Sequence, residues 1–588
     1  MSADKMRHRP AVRRLLAFTA AGALVAAGAL GTGALAQTAS QLTPQSFRPD
    51  LPRVGGAIVF SGEPGLEAPP GADQFSVALA GVTVEGGLPD MAASEQELAA
   101  RLVGGPVPVS ELFTAAQALE EAYVQAGYVL VRVVLPAQSL RDGDRLRLVV
   151  VNGFIESVDV EGTPAPARAR IGQMIEPLVG ERGLTLPEIE RRLLLAGDTP
   201  GVGLRSTLSP GASPGATVLI VDGTFRRVTG FVGADNTLSD DLGGWTMAVG
   251  ADLNNAFGLG EVIYLRASGH PTGDDSTGRG GFFTSSPRLR ILAGGAVIPL
   301  GTDGMTFNVE ATQSRETPEP SNAIQRYSKF ERLSFRLRYP WIRSRMLNVG
   351  VEASFDIQSE DQHLVEPDFA LSKDDLRILR LAADGAREFE TGAVLAGRAV
   401  ASFGLDAFGA RGADEATDDV PLSRQGIDAD FQKLEVAVSY ARPLADNLDL
   451  FLYARGQTSF GQPLATSEQI GIASMQELSS FDAGSVGGDS GWVVRGDMRS
   501  PWSIETARLP LLVVPYAFAA TGAVYLEEPT ALERRSTRAS AVGIGIELTA
   551  IREPGVSDAS LTLEYGRGFR NDDLPDDNRF TLVGTFRF

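Results

Sequence analysis

The constraint that most limits the fold is a two-residue alternation that recurs through the C-terminal part of the chain. Val542, Ile544, Ile546, Leu548 and Ala550 alternate with Gly543, Gly545, Glu547 and Thr549. Leu434, Val436, Val438 and Tyr440 alternate with Glu435, Ala437 and Ser439, and Leu561, Leu563 and Tyr565 with Thr562, Glu564 and Gly566. Successive side chains of a strand point to opposite faces, so each segment has one apolar face and one small or polar face. After Ala36 there is no run of 18 uncharged apolar residues, so no membrane-crossing helix is expected, and strands are left to meet lipid. A soluble sandwich also alternates, but not in so many segments of one acidic block. At roughly ten residues per strand plus turns, Arg226 to Phe588 has room for about 14 to 18 strands of an antiparallel transmembrane barrel.

The first 36 residues read as a secretory signal peptide. Lys5, Arg7, Arg9, Arg13 and Arg14 form a basic start, Leu15 to Leu30 is apolar, and Ala34-Leu35-Ala36 before Gln37 fits a small-x-small cleavage site. With 73 acidic against 53 basic residues the formal charge is −20, which argues against a nucleic-acid partner. There is no cysteine, so disulfides, thiolate metal sites and thiol nucleophiles are excluded. Of three histidines only His270 and His363 lie beyond the leader, and neither sits in a metal or general-base context. No cofactor, metal site or catalytic residue is therefore expected. Gly488-Asp489-Ser490-Gly491 copies the surroundings of a serine-protease nucleophile, but that chemistry needs a histidine base within reach. Arg495-Gly496-Asp497 is a chance triplet inside an expected strand.

Residues 37–74, rich in proline, glycine and polar side chains, read as an extended linker with no amphipathic helix. Residues 75–153 form a compact α+β module. Val77–Val84 is an expected strand, Ser94–Val103 a short helix, and Ser110 the cap of a second helix carrying Leu112, Ala116, Leu119 and Tyr123 on one face. Gly127 ends that helix, and strands Tyr128–Leu135 and Arg145–Val151 follow around a turn at Asp142-Gly143. Residues 154–225 repeat the order, with a capping box from Thr185 to Glu188.

The phrase PGVGLRSTLSPGASPGATVLIV, from Pro200 to Val221, resembles the second POTRA domain of two-partner secretion transporters of the haemolysin/haemagglutinin type. AGYVLVRVVLPAQSLRDGDRLRLVVVNGFIESVDVEG, from Ala126, resembles the first, and FVGADNTLSDDLGGWTMAVGADLNNAFGLG, from Phe231, the start of the barrel. The resemblance implies two periplasmic α+β POTRA domains followed by a 16-stranded barrel with a lumen-inserted loop. It further implies an outer-membrane pore of a Gram-negative bacterium, not an enzyme, that exports a large, β-helical secreted exoprotein past the membrane lipid. Leu130 is expected on a POTRA strand beside the groove that receives an extended chain. The ending FTLVGTFRF, with Phe586 and Phe588, is similar to the signal by which barrel-assembly machinery recognises its clients.

Within the barrel, Gly488, Asp489, Gly491 and Arg495 match the family's motif after the lumen loop. Relatives carry an arginine at the loop tip that pairs with a wall aspartate. Here the tip aligns with Leu478, Ser479, Ser480 and Phe481, and the wall position with Ala520, so both charges are missing together. Losing both is coherent, because losing one would strand a desolvated charge at about 3–5 kcal/mol. Two other readings remain: a barrel-assembly or membrane-remodelling relative, and a passive porin-like channel, against which two polypeptide-binding modules argue.

Overall fold

The structure is a computed structural model that describes residues 38–49, 58–60, 68–271, 280–319, 325–365, 369–482, 484–505, 509–553, 557–572 and 577–588. The leader and its cleavage site at Ala34, Ala36 and Gln37 lie outside these. The chain divides into two compact units: residues 53–226 with 258–260, and residues 1–52 with 227–257 and 261–588. Among the described residues no helix is long and apolar enough to cross a membrane.

The first unit holds two α+β modules. In the first, Arg145–Val151 lies parallel to Gly81–Glu85 and antiparallel to Arg132–Val134. Leu146, Leu148 and Val150 of the central strand are buried while Arg145 and Arg147 are exposed, the alternation expected of a sheet with one covered face. Helices Ala92–Leu102 and Val109–Gln125 supply Leu98, Leu112, Leu119 and Tyr123 to the same core. Ser110 lies inside the second helix rather than capping it, because Pro108 takes the cap position. The expected strand Val77–Val84 is two strands, Ser76–Ala78 and Gly81–Glu85. Tyr123 is fully buried; its hydroxyl donates to Glu95 Oε1 at 2.5 Å and accepts from the Leu88 amide at 3.0 Å. Burial, then the bond to Glu95, pushes the phenol up to about 12.

In the second module, strands Val202–Pro210, Ala216–Phe225 and Phe154–Asp159 are joined by a further strand from the preceding linker. Ile58–Phe60 pairs in parallel with Ser206–Leu208. Thr185 opens the helix Leu186–Gly197 with the capping box, its amide 2.8 Å from Glu188 Oε2. Leu130 requires a correction. It lies in a turn before the strand Arg132–Val134, and its side chain is buried in the second module's core with Ile155, Ile171 and Ile189. It therefore lines no groove; Val129 and Leu130 close the apolar core of the module that follows.

The second unit is a closed antiparallel barrel running from Val228–Asp235 to Asn578–Arg587. Ser490–Arg499 and Trp502–Glu505 both pair with Pro510–Tyr525, so they form one wall strand interrupted at Pro501, and the wall has sixteen strands. Hairpin connections alternate between short turns, such as 446–447, and long loops, such as 405–431 and 459–489. Along Arg326–Arg343, Ser328, Phe330, Arg332, Ser334 and Arg336 are buried, while Leu333, Phe335 and Leu337 face outward. This inverts a soluble protein: charge points inward and apolar side chains meet lipid. The seam closes through Phe231↔Arg587 and its neighbours. Beyond them the Phe588 amide donates to Gly230 O at 3.0 Å, and the Gly230 amide to Phe588 O at 2.9 Å.

The expected linker 37–74 is not a single extended segment. Residues 38–49 fold with the barrel, 58–60 join the second module's sheet, and Ala72–Gln74 makes a helical turn ahead of the first module.

Two outcomes are expected. Deleting Phe588 removes both terminal seam bonds and should lower the heat-modifiable fraction on gels. Tyr123→Phe should cost the module about 1–3 kcal/mol in urea unfolding, since the Leu88 amide and Glu95 lose a buried partner. The raised phenol pKa means this stabilisation is complete below about pH 10 and is lost as pH rises through about 12.

Candidate functional site in the barrel lumen

Residues 459–489 leave the wall after the strand Leu448–Thr458 and return to it at Ser490, folding into the lumen between. Two buried carboxylates hold the root of this loop. Asp489 Oδ1 accepts from the Leu464 amide at 3.1 Å, Gln469 Nε2 at 3.0 Å and Arg424 Nη1 at 2.5 Å; Oδ2 accepts from the Glu527 amide at 2.7 Å. A fully buried carboxylate needs that many donors to offset its lost hydration. One residue thereby ties the lumen loop to the loops 405–431 and 526–535. Glu468 does the same toward the wall. It takes Arg380 Nη2 at 2.7 Å, Lys433 Nζ at 2.8 Å and Gln358 Nε2 at 3.0 Å.

The loop tip is apolar where it meets the wall. Leu478 and Phe481 are buried with Ile470, Ile472, Phe518 and Ala520. Gly566 and Gly568 on the facing strand make room for it: a Cβ at Gly568 would stand 2.5 Å from the Phe481 ring, and one at Gly566 would strike the Ser480 hydroxyl. Ser479 is the position at which the family resemblance implies an arginine in relatives, and the structure brings an arginine to it from the other side. Arg495 Nη1 donates to Ser479 Oγ at 2.9 Å and to Met475 O at 3.0 Å. Its Nε meets Asp497 Oδ1 at 2.8 Å, its Nη2 meets Glu564 Oε2 at 2.9 Å, and its guanidinium lies 4.0 Å over the Phe518 ring. In sheet register Arg495 stands opposite Ala520. The small side chains at 479 and 520 are thus neighbours of one wall guanidinium, which grips the loop from the wall. Glu477 bound to Arg455 at 2.6 Å and Asp482 bound to Arg579 complete the attachment.

The protease-like Ser490 hydroxyl lies 3.2 Å from Ser459 Oγ, while His270 Nδ1 sits 3.0 Å from Trp245 O and His363 stacks on Tyr327. No histidine is placed against that serine. Among the described residues no group of acidic or histidine side chains is arranged to hold a metal.

A second lumen occupant escaped the sequence reading. Residues 38–49 lie along the inner face of strands Met305–Glu316, Arg326–Arg343 and Leu347–Leu364, with Ala39 and Leu42 almost fully buried. The segment is not helical. Leu42 packs with Leu238, Leu242, Leu289 and Ile291, and Phe47 lies against them.

A lipid-facing barrel whose polar lumen is filled by its own N-terminal segment and a lid loop, preceded by two POTRA-like modules, defines a plugged outer-membrane pore. The sequence profile described as haemolysin secretion/activation protein ShlB/FhaC/HecB matches residues 215–550, and the ShlB-type POTRA profile matches 78–153. The chain belongs to this haemolysin secretion/activation family. It is 22% identical over 555 residues to the outer membrane transporter CdiB of Escherichia coli O6:K15:H31 (strain 536 / UPEC), covering 94% of this chain and 89% of that protein. It is 26% identical over 165 residues to the heme/hemopexin transporter protein HuxB of Haemophilus influenzae (strain 86-028NP), 28% of this chain and 29% of HuxB. The solved structure of CdiB from Escherichia coli superposes with a TM-score of 0.67 at 18% identity, covering 99% of this chain and all of that one. CdiB from Acinetobacter baumannii gives 0.58 at 14%, with both chains fully covered. These likenesses show the fold. The protein is an outer-membrane translocation pore of two-partner secretion, with its POTRA domains in the periplasm and a secreted exoprotein as its partner.

Arg495→Gln should release the lid, because it removes the grip on Ser479 and Met475, takes the guanidinium from Asp497 and leaves Glu564 with the Tyr516 hydroxyl alone. A loss of about 3–5 kcal/mol in barrel stability is expected, with larger single-channel conductance in planar bilayers. Ser479→Ala should cost only about 1 kcal/mol. Unchanged conductance in Arg495→Gln would mean the loop is held elsewhere.

Proposed function

We propose that this transporter captures its exoprotein, a large β-helical chain, as an extended strand added to the Val202–Pro210 edge of the second POTRA module. Most other sheet edges are already blocked by side chains or loops. The Val133 amide, on one edge of the first module, is capped by Glu120 Oε2 at 2.9 Å; on the other edge Arg145 reaches Val82 O at 3.2 Å. Charged caps of this kind are how edge strands avoid unwanted pairing. On the second module's far edge, Ile155 and Phe154 bridge to Val179 and Arg182. The observation that carries the proposal is the pairing of Ile58–Phe60 with only Ser206–Leu208 of a nine-residue strand. The edge accepts an added parallel strand, and its own occupant covers a third of it, so a longer strand can displace the occupant. Barrel-assembly machinery would deliver the protein to the membrane by reading Phe586 and Phe588, which stack at 6.0 Å between ring centroids and lie exposed on the last strand. A passive porin is disfavoured by a lumen held shut at both its plug and its lid.

The absence of native cysteine makes the test clean. Val59 and Thr207 are register partners, so Val59→Cys with Thr207→Cys should form a disulfide that fixes the occupant on the edge. Export of the exoprotein should fall at least about tenfold when oxidised and recover with reductant, while heat-modifiable barrel stays constant. Export unaffected by the lock would exclude this edge.

A further inference from the structure

The plug is held in an unusual manner: the wall grips mainly its main chain. The Ala39 amide donates to Ser328 Oγ at 3.0 Å, the Ser40 amide to Glu360 Oε1 at 3.2 Å, and the Phe47 amide to Glu310 Oε2 at 2.9 Å. In the opposite sense, Pro44 O accepts from Arg332 Nη2 at 2.7 Å and Gln45 O from Arg336 Nη2 at 2.8 Å. Side chains add Thr38 and Ser40 on Glu360, Ser46 on Glu310, Arg48 on Glu352, and the apolar seats of Leu42 and Phe47. The gripping residues are regularly spaced. Ser328, Arg332 and Arg336 recur every four residues on one face of a strand, about 13 Å apart, and the plug runs alongside with its numbering rising in the same direction. Glu310 lies 3.6 Å from Arg332 and 3.4 Å from Arg336, so donors and acceptors are interleaved. The wall also has capacity to spare: Arg332 Nε, Thr312 Oγ1 and Ser314 Oγ are buried with no hydrogen-bond partner among the described residues.

From this we infer that the inner face of strand Arg326–Arg343, flanked by Glu310 and Glu360, is a track that binds polypeptide through its main chain, and that residues 38–49 rest there in place of the exported chain. The inference rests on the export reading. A pore that passes a whole protein meets every side chain in turn, and the one constant feature is an N–H and a C=O at almost every residue. Alternating guanidinium and carboxylate groups complement both. When the plug leaves, Arg332, Arg336 and Glu310 remain in a narrow lumen and still require partners, which a passing extended chain supplies residue by residue. Single hydrogen bonds spread along the strand, without a pocket for any one side chain, let that chain advance stepwise. Leu42 and Phe47 are what distinguish the resident segment from a passenger.

The test uses the pore lacking residues 38–49 in planar bilayers, with two capped twelve-residue peptides as blockers. One is the plug sequence TASQLTPQSFRP and the other a scramble of it. Both should block, the native peptide at lower concentration and the scramble within about tenfold of it. Arg332→Gln with Arg336→Gln should raise the blocking concentration of both by about tenfold, and the double lysine variant by less, because lysine keeps the charge but loses the planar fork. Each peptide carries one arginine, so removing two wall cations would strengthen long-range attraction; weaker block in the glutamine variant therefore reports lost contacts. Unchanged heat-modifiability confirms an intact wall, and block is read as a fraction of each variant's own open conductance. Block by the native peptide alone, or block indifferent to the glutamine substitutions, overturns the track. The block does not depend on export, so a failure of the export reading would appear in cells and leave these curves as they are.

Discussion

Everything in the barrel follows from the requirement that a backbone in lipid pair all of its amides and carbonyls with itself. An open sheet would leave one edge of such groups without water, at several kcal/mol for each group. Closure between Val228–Asp235 and Asn578–Arg587 removes both edges, and the terminal pair at Gly230 and Phe588 extends it to the last residue. Closure also fixes the distribution of side chains. With lipid outside, the pleat sends Leu333, Phe335 and Leu337 outward and forces Arg332, Ser334 and Arg336 into the lumen. The charged interior is thus a consequence of the wall's geometry before it is a feature of transport.

A charged interior must in turn be satisfied. Much of this lumen is filled by the chain itself, so its ionised groups are held in low-dielectric surroundings where an unpaired charge is expensive. Glu468 between Arg380 and Lys433, Asp489 under four donors, and Arg495 between Asp497 and Glu564 are three solutions to one problem. The exchange at the lid tip belongs here. The ion pair that relatives are expected to place between loop and wall is replaced by a wall cluster that is paired within itself and donates two hydrogen bonds to uncharged groups of the loop, Ser479 Oγ and Met475 O. When the tip leaves Arg495, Asp497 and Glu564 keep the guanidinium, and the charges that must separate are the flanking pairs Glu477–Arg455 and Asp482–Arg579. Release at Arg495 itself costs two hydrogen bonds and apolar contact.

How much of this could be read beforehand depends on the range of the interaction. Strand alternation and the capping box at Thr185 are local patterns, and both appear where the sequence places them. Leu130 failed because an apolar residue beside a strand looks the same whether it faces its own sheet or the core of the next module, and here the second module claims it. Ser110 failed because a proline two residues earlier sets the helix start. The plug left no signal. Its partners are 263 to 320 residues away and many address its main chain, so TASQLTPQSFRP carries no periodicity to betray them, and its one charge, Arg48, does not name its partner. Arg495 was visible as a motif residue, but its role depends on sheet register, which brings it opposite Ala520 and beneath the returning loop.

The two lumen occupants differ in the chemistry that holds them, and the difference implies an order of release. The plug is attached through individual main-chain hydrogen bonds, a few side-chain bonds including the Arg48–Glu352 pair, and two apolar side chains, each of which an extended polypeptide or water can replace one at a time. The lid is attached at its root by Asp489 and Glu468, whose partners come from several elements at once, so that breaking one contact leaves the others to hold it. Networks of this kind resist piecemeal loss and give way together. The plug therefore yields first, by exchange, while the root of the lid stays fixed and its tip can leave Ser479 and Phe481 only once the flanking pairs Glu477–Arg455 and Asp482–Arg579 part.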